Sequence, residues 1–188
     1  PWGVCMPILF LDFDGVLHPE HCHESKHFCC LPVLEDALRQ APEWQVVISS
    51  TWRLQKSLDQ LRSRFSADIA ERVVGETPRF NNLVDVPSSL VAYEREAECQ
   101  AWLRSNDVPY LAWLALDDRS WLFRPFCKSL FLSDRKTGLA FATLFDSAED
   151  VARALSKPVV QRKRDDKNSG METQKRRSSG EWMFRGCA

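Results

Sequence analysis

The stretch ILFLDFDGVLHPE, residues 8–20, decides the fold predicted for this chain. Its first four residues, 8–11, are all apolar, which is typical of a short strand buried on both faces of a sheet. Asp12 and Asp14 follow at the carboxyl end, and residues two apart in extended chain point the same way. Two such close carboxylates are costly unless a cation lies between them or one is protonated. Gly15 then permits a sharp turn after the strand. The stretch therefore predicts a buried strand that ends in chemically functional carboxylates.

Apolar patterns along the rest of the chain predict an α/β fold. Further buried strands are predicted over 44–50, 72–78, 110–118 and 129–134, and helices over 31–43, 54–73, 90–107 and 146–157. Because strands that alternate with helices form parallel sheets covered on both faces, we predict a Rossmann-like three-layer domain with a central parallel sheet. Ligands bind such sheets at the carboxyl ends of the strands. The polar segments DFD, SSTWR and DD all fall at predicted strand ends, so we expect them to converge there.

Charge divides the chain into two parts. Residues 157–188 carry nine lysines and arginines against four acidic residues, a net charge of +5, which leaves −6 on the remainder. The segment also lacks apolar periodicity, so we predict a folded domain over 1–156 and a basic, disordered tail over 157–188. The tail either binds nucleic acid through its charge or only keeps the chain soluble.

The chain is expected to work in the cytoplasm, away from membranes. No apolar run approaches the roughly 20 residues that span a bilayer, and the first residues lack the basic and apolar pattern of a signal peptide. The seven cysteines are odd in number and irregularly spaced. This pattern favours reduced thiols over a disulfide framework.

Four segments, FLDFDGVLHP, ISSTWR, REAECQAWL and ALDD, carry a resemblance in this order. Together they resemble the haloacid dehalogenase (HAD) superfamily of phosphohydrolases. More narrowly, they are similar to the capless HAD domain of Swiss Army Knife RNA repair proteins, over residues 8 to about 145. A large cap domain is not expected, because the two places where HAD caps are inserted each hold fewer than twenty residues here. Even small independent folds need about 40 residues.

The resemblance implies catalytic roles for four residues. Asp12 would be the nucleophile that forms an aspartyl-phosphate. Asp14 would protonate the leaving oxygen and later activate water. Ser49 would hydrogen-bond a phosphoryl oxygen, and Arg95 would neutralise charge that develops on the transferring group.

The resemblance also implies a magnesium site built from oxygen ligands. Mg²⁺ suits such ligands. The implied set is the Asp12 carboxylate, the Asp14 backbone carbonyl and Asp117, with Asp118 in support.

Several polar residues near these strand ends leave alternatives open. Ser49 and Ser50 compete for the phosphate contact, since either could instead cap the following helix. Arg53 either adds a second cation near the phosphate or pairs with Asp59. Arg95 could instead pair with acidic neighbours on its own helix face.

A polar loop rich in histidine and cysteine follows the first strand. We expect it to lie beside the active site, with His18 touching the substrate. The alternative is a zinc site, although no CxxC or HxxxH pair recurs at the spacing of structural zinc sites. The candidate ligands are His18, His21, Cys22, His23, His27, Cys29 and Cys30.

The sequence therefore predicts a Mg²⁺-dependent phosphohydrolase. The RNA-repair resemblance, the absence of a cap and the basic tail favour phosphorylated polynucleotide ends as substrates. Two alternatives remain: a phosphatase or phosphotransferase acting on small molecules, and a non-catalytic binding module on the same scaffold.

Overall fold

A five-stranded parallel sheet forms the centre of the structure, a computed structural model that describes residues 6–108, 111–139 and 156. Its strands run in the order β3-β2-β1-β4-β5, and every neighbouring pair is parallel. The strands are β1 (Ile8–Leu11), β2 (Gln45–Ile48), β3 (Val73–Glu76), β4 (Trp113–Asp117) and β5 (Leu130–Leu132). The predicted Rossmann-like α/β fold is therefore confirmed.

Alternate residues of the strands build two separate cores, one on each face of the sheet. Leu9 and Leu11 face the first core, which includes residues of α1 (Leu31–Gln40), α2 (Leu58–Arg62) and α3 (Ala67–Ala70). Ile8 and Phe10 face the second core, where they pack with Cys99 and Leu103 of α4 (Glu94–Ser105). The central strands are buried on both faces because helices cover both sides, as their continuous apolar runs predict.

The single helix predicted over 54–73 is wrong. The segment instead forms a 3-10 turn at Thr51–Leu54, then α2 and α3. Serines begin both helices. Ser57 and Gln60 form a reciprocal capping box at the start of α2, and the Ser66 N–H before α3 donates to the Glu35 carboxylate at 2.7 Å. Local capping and an anchor on α1 therefore divide a segment whose apolar spacing is continuous.

The two positions at which a cap domain could be inserted hold only loops. A single 3-10 turn, Glu24–Lys26, lies between β1 and α1, and two more, Phe80–Asn82 and Ser88–Leu90, lie between β3 and α4. The described part of the chain therefore carries no large cap, as predicted. It also holds no helix with the length and apolar character needed to span a membrane. The helix predicted over 146–157, apart from Ser156, and the tail over 157–188 lie outside the described residues.

Candidate active site

The register of the sheet brings three polar residues into one row at its carboxyl edge. Leu11 pairs with Ile48 of β2 and with Leu116 of β4, so the next residue of each strand falls at the same level. Those residues are Ser49, Asp12 and Asp117. The Asp12 N–H donates to the Leu116 carbonyl at 3.0 Å, and the Ser49 N–H donates to the Leu11 carbonyl at 2.9 Å. Parallel pairing alone thus places a hydroxyl and two carboxylates side by side.

Asp12, Asp117 and Asp118 form a buried carboxylate cluster. One oxygen from each lies within 4.8 Å of the others. The Asp117 Oδ2 atom and both carboxylate oxygens of Asp118 are buried without a hydrogen-bond partner in the described part of the chain, and Arg119 and Arg135 approach Asp118 only to 3.6 and 3.8 Å. Buried charged oxygens in that state are costly unless a cation satisfies them. The donor set, oxygens alone, fits the expected Mg²⁺.

Burial and mutual repulsion perturb this cluster strongly. Burial, with added repulsion from Asp12 and Asp118, raises the pKa of Asp117 from 3.8 to about 7, although Arg95 opposes the shift. Burial also raises the pKa of Asp118, with Arg119 acting in the opposite direction. Asp117 therefore binds a proton as pH falls below about 7, and a bound cation would displace it.

Arg95 is the cation that faces the cluster from α4. Its Nη1 atom lies 3.5 Å from Asp12 Oδ2 and 3.3 Å from Asp117 Oδ2, and it has no hydrogen-bond partner in the described part of the chain. Burial disfavours its charge, but Asp12 and Asp117 outweigh burial and raise the pKa of the guanidinium. Glu98 holds the other side of the group, 3.6 Å from Nε. Arg95 thus presents at the centre of the site a donor that is ion-paired with two carboxylates but forms no hydrogen bond with them.

Gly15 lets the chain turn directly beside the carboxylate cluster. Its φ is +72°, in the left-handed region that glycine adopts readily. A Cβ built there would lie 2.5 Å from Asp118 Oδ2, which real Cβ contacts essentially never show. Glycine is therefore required both for the turn and for the close approach of Asp118.

The side chain of Asp14 lies outside the carboxylate cluster. His18 Nε2 lies 3.0 Å from its Oδ1, and the Trp52 indole N–H donates to its Oδ2 at 3.0 Å. Burial acts to raise the pKa of Asp14, but the hydrogen bonds from His18 and Trp52 dominate and lower it. Asp14 is therefore held as a carboxylate, with both oxygens oriented by aromatic neighbours.

Arg53 lies in the wall of the candidate site, where backbone carbonyls accept hydrogen bonds from its guanidinium. Its guanidinium donates to the carbonyls of Ser49 at 2.6 Å, Ser50 at 2.9 Å and Thr77 at 2.9 Å. It also pairs with Glu98 at 2.8 Å, and the expected alternative pairing with Asp59 is not formed. Asp59 pairs with Arg62 instead. Arg53 therefore holds the ends of β2 and β3 in place, and its contact with substrate stays a prediction.

The two serines after β2 have different surroundings. Ser50 Oγ accepts from the Trp52 N–H at 3.4 Å and so caps the 3-10 turn that follows. Ser49 is buried in the row beside Asp12. The capping alternative thus falls on Ser50, which leaves Ser49 as the residue better placed for a phosphoryl contact.

A cleft of about 390 Å³ leads to Arg95. It runs between the loop after β3, the start of α4 and the loop after β4. Its lining combines basic, aromatic and acidic side chains: Thr51, Arg53, Leu54, Arg79, Phe80, Asn81, Glu94, Arg95, Glu98, Arg119 and Leu122. Arg79 and Arg119 supply positive charge at the entrance, which suits an anionic substrate.

Comparison with known families identifies the chain. A model of the family described as the HAD domain in Swiss Army Knife RNA repair proteins matches residues 8–144, which is well over half of the sequence. The chain belongs to this family. The resemblance inferred from the four segments is thus confirmed. No curated protein and no solved structure matches the chain significantly.

Membership of the HAD domain family points to phosphohydrolase-type chemistry in an RNA-repair context. The matched range covers all of the residues predicted to form the site, from Asp12 to Asp118. The carboxylate cluster is also compatible with the Mg²⁺ that HAD domains generally use.

Two residues of this HAD domain contact the site, although neither was predicted from the sequence to belong to it. Trp52 orients Asp14 and is part of the ISSTWR segment, so its position two residues after the serines was an available signal. Glu98 joins Arg53 to Arg95 and accepts from the Phe80 N–H at 2.9 Å. It is buried in the active-site wall, whereas the sequence placed it on a solvated helix face.

Proposed function

We propose that this HAD domain is a Mg²⁺-dependent phosphohydrolase that removes the phosphate from polynucleotide ends through an aspartyl-phosphate on Asp12. The observation that carries the proposal is the buried cluster of Asp12, Asp117 and Asp118 with the Arg95 Nη1 donor beside it, which forms no hydrogen bond in the described part of the chain. A structural role alone leaves such a cluster unexplained, because unsatisfied buried carboxylates destabilise a fold.

The first step forms the intermediate. A carboxylate oxygen of Asp12 attacks phosphorus, the bond from phosphorus to the ester oxygen breaks, and the leaving oxygen takes a proton from Asp14. An incoming phosphate anion raises the pKa of a neighbouring carboxyl group. Substrate binding itself therefore favours the protonated Asp14 that this step needs.

The second step breaks the intermediate. Asp14 accepts a proton from water while the water oxygen attacks phosphorus, and the bond from phosphorus to Asp12 breaks. Inorganic phosphate leaves, and Asp12 returns to a carboxylate. The hydrogen bonds from His18 and Trp52 stabilise ionised Asp14, which is the form required for this step.

Other residues of the site hold the phosphoryl group. Arg95 offers its Nη1 donor, which forms no hydrogen bond in the described part of the chain, to an equatorial oxygen of the phosphoryl group. Its charge offsets the negative charge that develops in the transition state. Ser49 supplies a hydroxyl from the neighbouring strand end. His18 positions Asp14, while Ser50 and Arg53 keep the loop after β2 in shape.

The carboxylates of Asp12, Asp117 and Asp118 and the backbone carbonyl of Asp14 would hold Mg²⁺. When bound there, Mg²⁺ supplies positive charge that lets an anionic phosphate approach an anionic nucleophile.

The family description, the lining of the cleft and the state of the cysteines support the proposed substrate class and cellular setting. The family name refers to RNA repair, and the cleft toward Arg95 is lined by Arg79, Phe80 and Arg119, which suit a nucleic-acid strand. None of the cysteines in the described part of the chain forms a disulfide, which supports a cytoplasmic setting. The proposal also includes a folded domain over 1–156 and a basic tail over 157–188.

Aspartate-to-asparagine variants test the mechanism with 4-nitrophenyl phosphate and Mg²⁺. Asp12→Asn keeps the shape but removes the nucleophile, so turnover should fall at least about 1,000-fold and no initial burst of nitrophenolate should form. Asp14→Asn should keep the burst, because nitrophenolate needs no proton to leave, but slow the steady state roughly 100- to 10,000-fold.

Asp59→Asn is the matched control, because that carboxylate is 91% exposed on α2 and should leave both phases unchanged. Undiminished turnover by Asp12→Asn would refute the aspartyl-phosphate mechanism. A burst that disappears in Asp14→Asn but persists in Asp12→Asn would exchange the roles of the two residues.

A further inference from the structure

A second group of metal-binding side chains lies in the loop between β1 and α1, apart from the carboxylate cluster. His18, Cys22 and His27 each offer one ligand atom, and these three atoms lie within 4.8 Å of one another. We propose that they form a separate binding site for a borderline or soft divalent cation, and that Zn²⁺ is the ion this donor set fits best.

The donor chemistry separates this site from the proposed magnesium site. Two imidazole nitrogens and a thiolate sulphur select zinc and similar transition metals, whereas oxygens alone select Mg²⁺. Three protein ligands leave a fourth tetrahedral position for water. The chain would therefore hold two cations of different character in two separate groups of ligands.

The hydrogen bonds of His18 match those of a metal-binding histidine. The Phe28 N–H points at His18 Nδ1 at a long 3.4 Å, which assigns the proton to Nε2, the atom 3.0 Å from Asp14 Oδ1. Histidines that bind metals commonly donate their other ring N–H to a carboxylate in this way. We therefore assign Nδ1 to the cation, which would replace the long contact from the Phe28 N–H at the same lone pair.

The backbone of the loop holds His27 against His18. Phe28 has a φ of +63°, a left-handed conformation that costs energy for a residue with a side chain. The two imidazole rings lie 4.7 Å apart with a tilt of 32°, and Trp52 contacts His27 with ring centroids 5.4 Å apart. A strained loop supported by aromatic packing therefore keeps two of the ligands together.

The proposed cation would act on Asp14 through His18. A metal bound at Nδ1 fixes the plane of the imidazole ring, and the same ring contacts the Asp14 carboxylate through Nε2. His18 thus serves as a ligand on one side and as a positioning residue on the other. The role of the site is to order the loop and to fix the orientation of Asp14.

Binding of Co²⁺ and Zn²⁺ to the purified full chain tests the proposal without any measurement of hydrolysis. Co²⁺ bound to a thiolate gives a charge-transfer absorption band that Co²⁺ bound to carboxylates alone does not give. We expect one equivalent of Co²⁺ to produce this band in the presence of excess Mg²⁺, and Cys22→Ser to abolish it. His27→Ala should weaken Zn²⁺ binding, measured by calorimetry, more than the roughly 10- to 100-fold lost when a group that only supports a ligand is removed.

The matched controls are Cys29→Ser and His21→Ala, which change the same residue types in the same loop at exposed positions. Both should keep the band and the affinity of the unaltered chain. The proposal is overturned if no thiolate band forms, if the band survives Cys22→Ser, or if Cys29→Ser removes it as fully. Because the readout is binding, failure here leaves the phosphohydrolase proposal untouched, and the reverse also holds.

Discussion

At the level of single residues, Asp14 and Asp117 show how two aspartates of the same candidate site acquire pKa shifts of opposite sign. Asp117 is buried beside two other carboxylates, and burial raises its pKa to about 7. Burial acts in the same sense on Asp14, but donors from His18 and Trp52 reach both of its oxygens and lower its pKa. The different hydrogen-bond partners, rather than residue type, separate a metal-ligand candidate from an acid–base candidate.

The raised pKa of Asp117 predicts that Mg²⁺ binding depends on pH. Below about 7 the carboxyl group holds a proton that the cation must displace, so Mg²⁺ affinity should rise about tenfold per pH unit and level off above about 7. Calorimetry between pH 5.5 and 8.5, in buffers of different ionisation enthalpy, measures both the affinity and the proton released. An affinity that does not change across this range would contradict the assignment of Asp117 as a ligand.

The raised pKa of Asp117 also determines how the stability of the metal-free chain changes with pH. The folded-state pKa lies above the unfolded value of 3.8, so the folded chain binds this proton more tightly than the unfolded chain. The contribution of Asp117 to stability therefore declines as pH rises from 3.8 to about 7, and Mg²⁺ should reverse the decline at neutral pH.

At the level of elements, Arg53 and Glu98 join three pieces of the fold under the site. Arg53 follows β2, donates to the carbonyls of Ser49 and Thr77, and pairs with Glu98 of α4. Glu98 in turn contacts Arg95. The positions of Ser49 and Arg95 beside Asp12 therefore depend on one buried ion pair that joins β2, β3 and α4.

Arg53→Met is expected to destabilise the domain by about 3 to 5 kcal/mol, because it leaves Glu98 buried without its main partner. Chemical denaturation measures the change. Arg104→Met is the matched control, since Arg104 is exposed on α4 and forms no ion pair within the described residues, and it should cost about 1 kcal/mol or less. If Arg53→Met instead kept full stability and only raised KM, Arg53 would be a substrate ligand, as the sequence first indicated.

At the level of the whole molecule, the described part of the chain carries no large cap over the candidate site. Loops of fewer than twenty residues stand at both positions where HAD domains carry lids, and the second of these loops lines part of the cleft toward Arg95. A lid excludes water from small substrates. Without one, a bulky substrate has to cover the site itself, which is the role that we propose for a polynucleotide end.

The open cleft predicts a preference for oligonucleotides. The value of kcat/KM for a terminally phosphorylated oligonucleotide should exceed that for the matching mononucleotide by about tenfold or more, since one stacked base contributes about 1–3 kcal/mol. Arg79→Ala, at the entrance of the cleft, should reduce only the oligonucleotide value. Equal or better efficiency on the mononucleotide would refute the idea. If deletion of 157–188 removed the preference, the additional binding would lie in the tail.

The sequence by itself determined where the strands lie and which acids stand at their ends. The patterns that carry this information are local: an apolar run of four residues followed by DFD, and another followed by DD. β1 and β4 are parallel neighbours in which Leu11 pairs with Leu116. Asp12 and Asp117 therefore meet at the carboxyl edge of the sheet, whichever path the loops take. The HAD family could be recognised for the same reason, since its four segments are short and ordered along the chain.

Only the tertiary structure decided which partners these residues take. Arg53 pairs with Glu98, forty-five positions away, rather than with nearby Asp59. Trp52 reaches back to Asp14, and the capping serines break a helix that its periodicity predicts as continuous. Irregular spacing likewise concealed the grouping of His18, Cys22 and His27, which depends on a left-handed turn at Phe28. Apart from the capping of α2, which the local pair Ser57 and Gln60 provides, these features depend on contacts between segments distant in sequence or on the path of a loop. Local patterns do not determine those contacts.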